Sequence, residues 1–380
     1  MIYLDNAAST KIREEVLETV KDILLNEYAN PDAAHEFGLQ AGKRIKSSRQ
    51  IIADALNVSA KDVYFTSGGS EGNNIIIQGI INGNPRQGKH LVTTKIEHPS
   101  VYEIFKEYER NGFEVTYLNV DSDGMVKLEE LEDCVRDDTV LVSVISVNSE
   151  TGVIQDLEKI GNIVKQKNKN TYFHSDFVQG LGHIKINPVK CRLDAMTVSS
   201  HKIYGPKGTG AIYLSGNVKI KPLIFGSNQE QGVVQKTLNS SGIAGFGKAV
   251  QIAYDNFSEE NDRVREVRDY LQDRIQKEIS DIRVNTLEKG SVPHILNVSF
   301  IGIQGEVLVH FLGMSKIYVS TGSACSSRKG NSRILESMGL TQEEVAGGIR
   351  FSFSIFNTKE EMDETVKALK EAVENIRMMK

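Results

Sequence analysis

The sequence predicts an α/β fold built on a mostly parallel sheet, and three observations carry that prediction. From about residue 43 to 215, short β-branched and aromatic runs alternate with amphipathic stretches, the pattern of strands joined by crossover helices. Glycine is frequent, at 32 residues against 7 prolines, and a Gly-rich turn falls where a strand run gives way to a helical one. The composition, 39% hydrophobic and 25% charged over 380 residues, is that of a globular chain with room for roughly two domains.

The strand runs are Val63–Thr66, Leu91–Thr93, Val115–Leu118, Thr139–Ile145, Thr171–His174 and Ala195–Val198. Amphipathic stretches at 100–111, 128–136 and 156–168 lie between them. A long charged helix over about 256–280 follows, led by Ser258-Glu259-Glu260-Asn261-Asp262. After it come a strand at Ile295–Phe300, a helix near 304–313, a Ser/Gly-rich loop at 320–330 and helices near 331–338 and 358–377. This tail reads as a smaller α+β domain, with the long helix as the link.

Several function classes are set aside by charge and patterning. With 45 basic against 50 acidic residues the net charge is −5, so no basic surplus is available for a nucleic-acid backbone. No apolar run approaches the ~20 residues a membrane helix needs. The start, Met1-Ile2-Tyr3-Leu4-Asp5-Asn6, has no export pattern. Three cysteines, an odd number, fit a reducing compartment, and a cytoplasmic protein is expected. The eight histidines show no His-x-x-x-His spacing and the cysteines no Cys-x-x-Cys, so no protein-only metal site is expected.

The candidate chemistry sits where strands end, as it does in open α/β sheets. Thr66-Ser67-Gly68-Gly69-Ser70-Glu71 follows a strand and opens a helix, whose free N–H groups suit a phosphate; an ordinary Ser-capped turn is the plain alternative. Lys202, in Ser199-Ser200-His201-Lys202, stands at another strand end, where a lysine with suppressed charge can act as a nucleophile. Asp176, with Gln179 three residues on, would be a costly buried carboxylate unless it meets a cation such as a protonated pyridine nitrogen; a helix N-cap is the bland reading. His98, in Glu97-His98-Pro99, can stack on a flat ring or move a proton. Arg350 in a strand-like run can grip a carboxylate with two parallel bonds, or can be a structural ion pair. Cys325, in Gly322-Ser323-Ala324-Cys325-Ser326, has little apolar cover and fits a travelling nucleophile. Cys134 and Cys191 read as structural.

Taken in chain order, these segments resemble the cysteine desulfurases, in the class V branch of the fold-type I pyridoxal-phosphate enzymes. The resemblance spans nearly the whole chain. It rests on Tyr3–Thr10, Asn30-Pro31, Thr66–Glu71, Glu97-His98, Val147–Gly152, Asp176 with Gln179, Ser199–Pro206, Gly242–Ala249, Pro293–Phe300, Gly322–Cys325 and Ile349–Ser352. It implies a seven-stranded sheet in a large domain over 15–255, and a small domain over 1–14 and 256–380 carrying a mobile cysteine loop. It also implies a homodimer that binds pyridoxal 5'-phosphate. Lys202 would carry the cofactor covalently, His98 would stack on its ring, Asp176 would pair with the ring nitrogen, and Gln179 and Ser149 would contact the ring oxygen. Gly69, Ser70, Ser199 and His201 would hold the phosphate, completed by Thr237 across the dimer. Arg350, Asn30 and Asn148 would bind L-cysteine. Cys325 would take its sulfur as a persulfide, leaving alanine, and pass it to an acceptor protein, either an iron–sulfur scaffold or a dedicated acceptor. A selenocysteine lyase and a non-catalytic relic of the fold are the alternatives.

The chain departs from the family pattern close to these positions. Ser149 replaces the second of two asparagines, Ser200 a glycine, and Phe177 a small residue. Phe225–Glu230 lacks the usual glycine run, Val234-Gln235-Lys236-Thr237 replaces Arg-Ser-Gly-Thr, and Ser354-Ile355 replaces Gly-Arg. A divergent member is expected.

Overall fold

The computed structural model describes residues 1–226, 229–322 and 332–378. The chain opens with a two-residue strand, β1 (Ile2–Tyr3), and two helices, α1 (Glu14–Asn26) and α2 (Glu36–Ala55). Strand and helix then alternate through β2 (Val63–Thr66), α3 (Gly69–Gly83), β3 (His90–Thr94), α4 (Pro99–Arg110), β4 (Glu114–Leu118), α5 (Leu128–Cys134), β5 (Thr139–Ser143), α6 (Leu157–Lys167), β6 (Tyr172–Asp176), β7 (Ala195–Ser199) and β8 (Gly210–Leu214). These seven strands form one sheet in the order β2-β8-β7-β6-β5-β3-β4.

The pairings from β7 through β6, β5 and β3 to β4 are parallel, while β8 runs antiparallel to both β7 and β2. Because β2 lies two reversals from β7, it points the same way. Every strand except β8 therefore delivers its carboxyl end to one edge of the sheet. Strand–helix alternation does not anticipate β8: only a single 3-10 turn at Ser200–Lys202, not an α-helix, separates it from β7, and its run follows on a glycine-rich turn. Helices cover both faces, which is why the strands read as nearly unbroken apolar runs. Val92, Val142, Phe173 and Met196 pack on one side with Ile52, Ile160 and Phe246. Leu91, Leu141, Ala195 and Ile212 pack on the other with Ile76, Ile80, Val101 and Phe105.

After β8 come α7 (Ser240–Asp255) and the long α8 (Phe257–Glu278), then β9 (Ile282–Val284), β10 (Ile295–Phe300), α9 (Gly305–Met314), β11 (Ile317–Tyr318), α10 (Arg333–Ser337), α11 (Gln342–Ala346), β12 (Gly348–Ser352) and α12 (Lys359–Met378). β10 is the centre of an antiparallel β12-β10-β9 sheet, and β11 pairs in parallel with β1. A separate apolar cluster gathers Leu271, Leu296, Val298, Leu308, Phe351 and Leu369, and it includes Ile2 and Leu4 from the N-terminus.

The N-terminal segment thus belongs to this second cluster while also reaching the main sheet. Ser352 N donates to Leu4 O at 2.7 Å, and Ala7 N to Ser352 Oγ at 2.8 Å. Thr10 Oγ1 donates to His201 O at 2.9 Å and accepts from Tyr204 N at 2.8 Å. This fixes the turn after β7, where Tyr204 adopts a left-handed φ of 64°.

A second tie fastens the stretch before α7 to the sheet. Arg49 donates from both terminal nitrogens to the Glu230 carboxylate, at 2.7 and 2.6 Å, and Phe65 N donates to the same carboxylate at 2.7 Å. The Glu230 side chain is almost wholly buried. Removing one partner of a buried ion pair strands the other. We expect Glu230→Ala to destabilise the protein by about 3 kcal/mol, seen as a lower urea midpoint by circular dichroism.

Candidate active site

The converging strand ends enclose a cavity of about 340 Å³, which opens beside a second of about 360 Å³. The two share Gly69, Ser70 and His201 in their walls. The first is lined by Asp176 from the end of β6, Lys202 from the turn after β7, His98 from the end of β3, Ser149 from the loop after β5, and Gln179.

The smaller-residue side is an anion cup. Gly68 has φ 144°, a left-handed value that favours glycine, and it turns the chain from β2 into α3. A Cβ on Gly72 would stand 2.7 Å from the Thr197 side chain, so glycine there lets α3 lie close on the sheet. The helix N-terminus, with its free N–H groups, faces Ser199, His201 and Lys207. Ser199 Oγ is buried with no hydrogen-bond partner among the described residues. An unsatisfied hydroxyl in a cup of N–H donors fits a phosphate.

Asp176 is 3% exposed yet well supplied with donors. Val178 N donates to Oδ1 at 3.0 Å and Asn73 Nδ2 to Oδ2 at 2.8 Å. Asn73 Nδ2 also reaches Ser100 Oγ at 2.9 Å, and that hydroxyl lies 2.8 Å from His98 Nδ1. Ser100 N donates to the same ring nitrogen at 3.1 Å. His98 Nδ1 is therefore an acceptor, and burial, reinforced by the charges of Lys202 and Arg333 and opposed by Asp176, holds the ring below its ordinary pKa. The neutral ring carries its proton on Nε2. Asn73 links the carboxylate to the histidine and is absent from the sequence-derived site. Its signal was its place four residues after Gly69, one helical turn on, facing the sheet.

Lys202 Nζ donates to Ala7 O at 2.5 Å and to Ala8 O at 2.9 Å. Its pKa is pushed down to about 8, first by burial and next by the positive charge of Arg350, against the pull of Asp176 and Asp5. His201 is pushed down to about 4 by burial and by the neighbouring Lys202 and Lys207 charges. Behind His98, the fully buried Glu97 is pushed up to about 8 by burial.

The other expected residues stand in varied positions. Arg350 is 4% exposed and donates to Ser149 O at 2.8 Å and to Asp5 Oδ1 at 2.7 Å, while its Nε has no partner among the described residues. Asn148 turns into its own loop: its Oδ1 accepts from Glu150 N and Thr151 N, each at 2.9 Å, and it does not line the cavity. Asn30 is exposed in the connection between α1 and α2, and Thr237 is exposed ahead of α7; neither lines the cavity. Cys325 lies outside the described residues, as does most of the loop expected to be mobile. Cys134 and Cys191 are free and half-buried, with both thiols pushed up mainly by burial, Cys134 to about 11. Such thiols are poor nucleophiles.

The departures from the family pattern find local partners. Phe177 is fully buried, its ring occupying the space that a Cβ on Gly180 would claim. Val234 is buried in the apolar layer beside α3, and Lys236 pairs at 2.5 Å with Glu71 at the rim of the anion cup. Ser354 N and Oγ both donate to Asn357 Oδ1. Nothing in the structure explains Ser200, whose buried hydroxyl has no partner.

Known proteins place this geometry. The profile of the family described as Aminotransferase class-V matches residues 2–365. A cysteine desulfurase IscS of Clostridium botulinum is 39% identical over 381 residues, covering 100% of this chain and 96% of the relative. A cysteine desulfurase IscS of Methanosarcina thermophila is also 39% identical, covering 100% of this chain and 93% of its own. Among solved structures, a NifS-like protein superposes with a TM-score of 0.93 at 36% identity, covering 98% of this chain and 99% of that one. SspA in complex with cysteine gives 0.83 at 31% identity, covering 94% and 100%.

The lowered Lys202 pKa has a direct chemical consequence. In the protein without cofactor, an amine-directed reagent should modify Lys202 with a rate that rises through pH about 8, against 10.5 for an ordinary lysine. Peptide mass spectrometry of samples labelled across the pH range reads the midpoint; one near the ordinary value contradicts a desolvated amine.

Proposed function

The chain belongs to the class-V aminotransferase family, and we propose that within it this protein is a cysteine desulfurase that converts L-cysteine to L-alanine and captures the sulfur on Cys325. The observation that carries this reading is the pairing of a desolvated strand-end amine, Lys202, with a buried, hydrogen-bonded carboxylate, Asp176, across one cavity beside an anion cup. The full-length relatives are themselves named cysteine desulfurases.

The family is pyridoxal-phosphate-dependent, and the residues present fit that cofactor. Ser199, His201, Ser70 and Gly69, with Thr237 of the partner subunit, would hold its phosphate. Lys202, His98, Asp176, Gln179 and Ser149 would hold its ring. When bound, the cofactor supplies an electron sink for the bonds broken in the substrate.

The chain supplies the rest. Asn73 Nδ2 and Val178 N each donate to the Asp176 carboxylate and hold it in place. A pKa near 8 leaves part of the Lys202 amine unprotonated at neutral pH, ready to accept or return a proton. His98 holds its mobile proton on Nε2. Arg350, together with Asn30, would take the substrate carboxylate, which must share the guanidinium with Asp5; Asn148 shapes the loop on which Ser149 stands. The Cys325 thiolate attacks the substrate sulfur, forming an S–S bond as the C–S bond breaks, and the carbon skeleton is released as alanine after gaining a proton. A thiol or an acceptor protein then removes the outer sulfur.

The same reading holds the chain to be a cytoplasmic homodimer, divided into a large body over 15–255 and a small one over 1–14 and 256–380. Exposed Leu17, Leu24, Leu25, Tyr28 and Leu39 on and around α1 and α2 support a partner surface. The separate apolar cluster supports the division, and the free Cys134 and Cys191 support a reducing compartment. Among the described residues no helix is long and apolar enough to cross a membrane.

With cofactor and a thiol reductant, the enzyme should release alanine and sulfide from L-cysteine one for one. Lys202→Ala should abolish both, and Cys325→Ala should cut them by at least about 100-fold while keeping the visible cofactor band. Undiminished alanine formation by Cys325→Ala overturns the assigned nucleophile. Sedimentation should give a dimer, and an active monomer would rule that arrangement out.

A further inference from the structure

His294 is a buried ring that neither the anion cup nor the Asp176 network uses. It stands one residue before β10, 4% exposed, and its carbonyl accepts from Phe353 N at 2.9 Å. Its ring stacks on that of His183, with centroids 3.7 Å apart and 25° between the planes. His183 lies in the turns after β6, so the stack joins the small sheet to the main one.

The hydrogen bonds fix where each ring carries its proton. Asn261 Nδ2 donates to Gly182 O at 3.0 Å and to Phe257 O at 2.8 Å, leaving its Oδ1 to face His183 Nδ1 at 3.0 Å. An amide oxygen only accepts, so His183 is protonated on Nδ1. Gln179 Nε2 donates to Ala7 O at 2.9 Å, which turns Gln179 Oε1 toward His294 Nε2 at 3.2 Å. By the same logic His294 is protonated on Nε2, and its Nδ1 has no partner among the described residues. Burial pushes both rings below their ordinary pKa, His183 to about 4; for His294 the charges of His183, Lys202, Arg350 and Arg268 add to that push. Both rings are held neutral, each with one proton in a defined place.

We infer that His294 is a positioning residue that locks the side-chain amide of Gln179, so that its remaining N–H is presented to the cavity for an acceptor on the cofactor ring. Gln179 lines that cavity. A reversed amide would set oxygen against the Ala7 carbonyl and N–H against the Nε2–H of His294, so both partners enforce one orientation. Ala7 O is shared with Lys202, whereas among the described residues His294 Nε2 donates to Gln179 alone. This role rests on the proposed cofactor site, and its test separates the two.

The visible band of the cofactor-loaded enzyme is titrated with pH for wild type, His294→Leu, His294→Gln and Gln179→Leu, and for the Leu pair combined. The charged and titratable groups around the network are Lys202, Arg350, Arg268, His183, Asp176 and Asp5. His294→Leu should move the midpoint by at least about half a pH unit, because the ring acceptor loses an oriented donor. His294→Gln, which can again donate to Oε1, should restore it. In the Gln179→Leu background the His294→Leu change should move nothing further. An unshifted midpoint in His294→Leu, or a shift that persists without Gln179, overturns the inference. Histidine-labelled nitrogen NMR of the unloaded wild type provides a test that needs no folded variant: His294 must be neutral and protonated on Nε2, and a charged ring or an Nδ1 proton also overturns it. A wild type that takes up cofactor without any visible band would instead sink the functional reading, and the NMR result would still judge His294.

Discussion

The structure depends on a desolvated ammonium resting on two main-chain carbonyls. Lys202 Nζ sits against Ala7 O and Ala8 O, in a site where a bare charge would cost several kcal/mol. Those carbonyls are placed by hydrogen bonds from residues 4–7 to Ser352, while Thr10 holds the turn that carries the lysine. Arg350 and Asp5 complete the arrangement as an ion pair at 2.7 Å. Three distant stretches of sequence, at residues 4–10, 199–204 and 350–352, thus act as one unit, and the cavity takes its charge balance from them.

The main sheet was legible because its strands are buried on both faces and separated by helices of distinct period. β8 was not, since it enters without a crossover, and sequence period alone cannot announce a reversal in direction. At the site, Lys202, Asp176 and His98 could be found because each follows a strand, and topology alone sends strand ends to one edge. Asn73 and His294 could not be found that way. One faces inward from a helix, the other precedes a strand of a different sheet, and each acts on a neighbour brought close only by folding. Asn148, a polar residue in a matching motif, gives its Oδ1 to its own turn and its Nδ2 to Ile96 O.

The departures from the family pattern carry a related lesson. Phe177 and Val234 are absorbed as apolar packing, and Lys236 finds Glu71. Substitutions beside a reactive centre can be answered locally, leaving the groups that touch the cavity where the sheet puts them.

The N-terminal strap has a consequence for the order of assembly in the cell. Residues 4–10 leave the ribosome well before their partner Ser352 has been made. Contacts so far apart in sequence close late, after local pairings such as β7 with β8. The lysine turn is therefore made before that contact closes, and its amine is covered only when residues 4–10 dock against Ser352. The cavity that holds Lys202 is in this way left unfinished until Ser352 has been made.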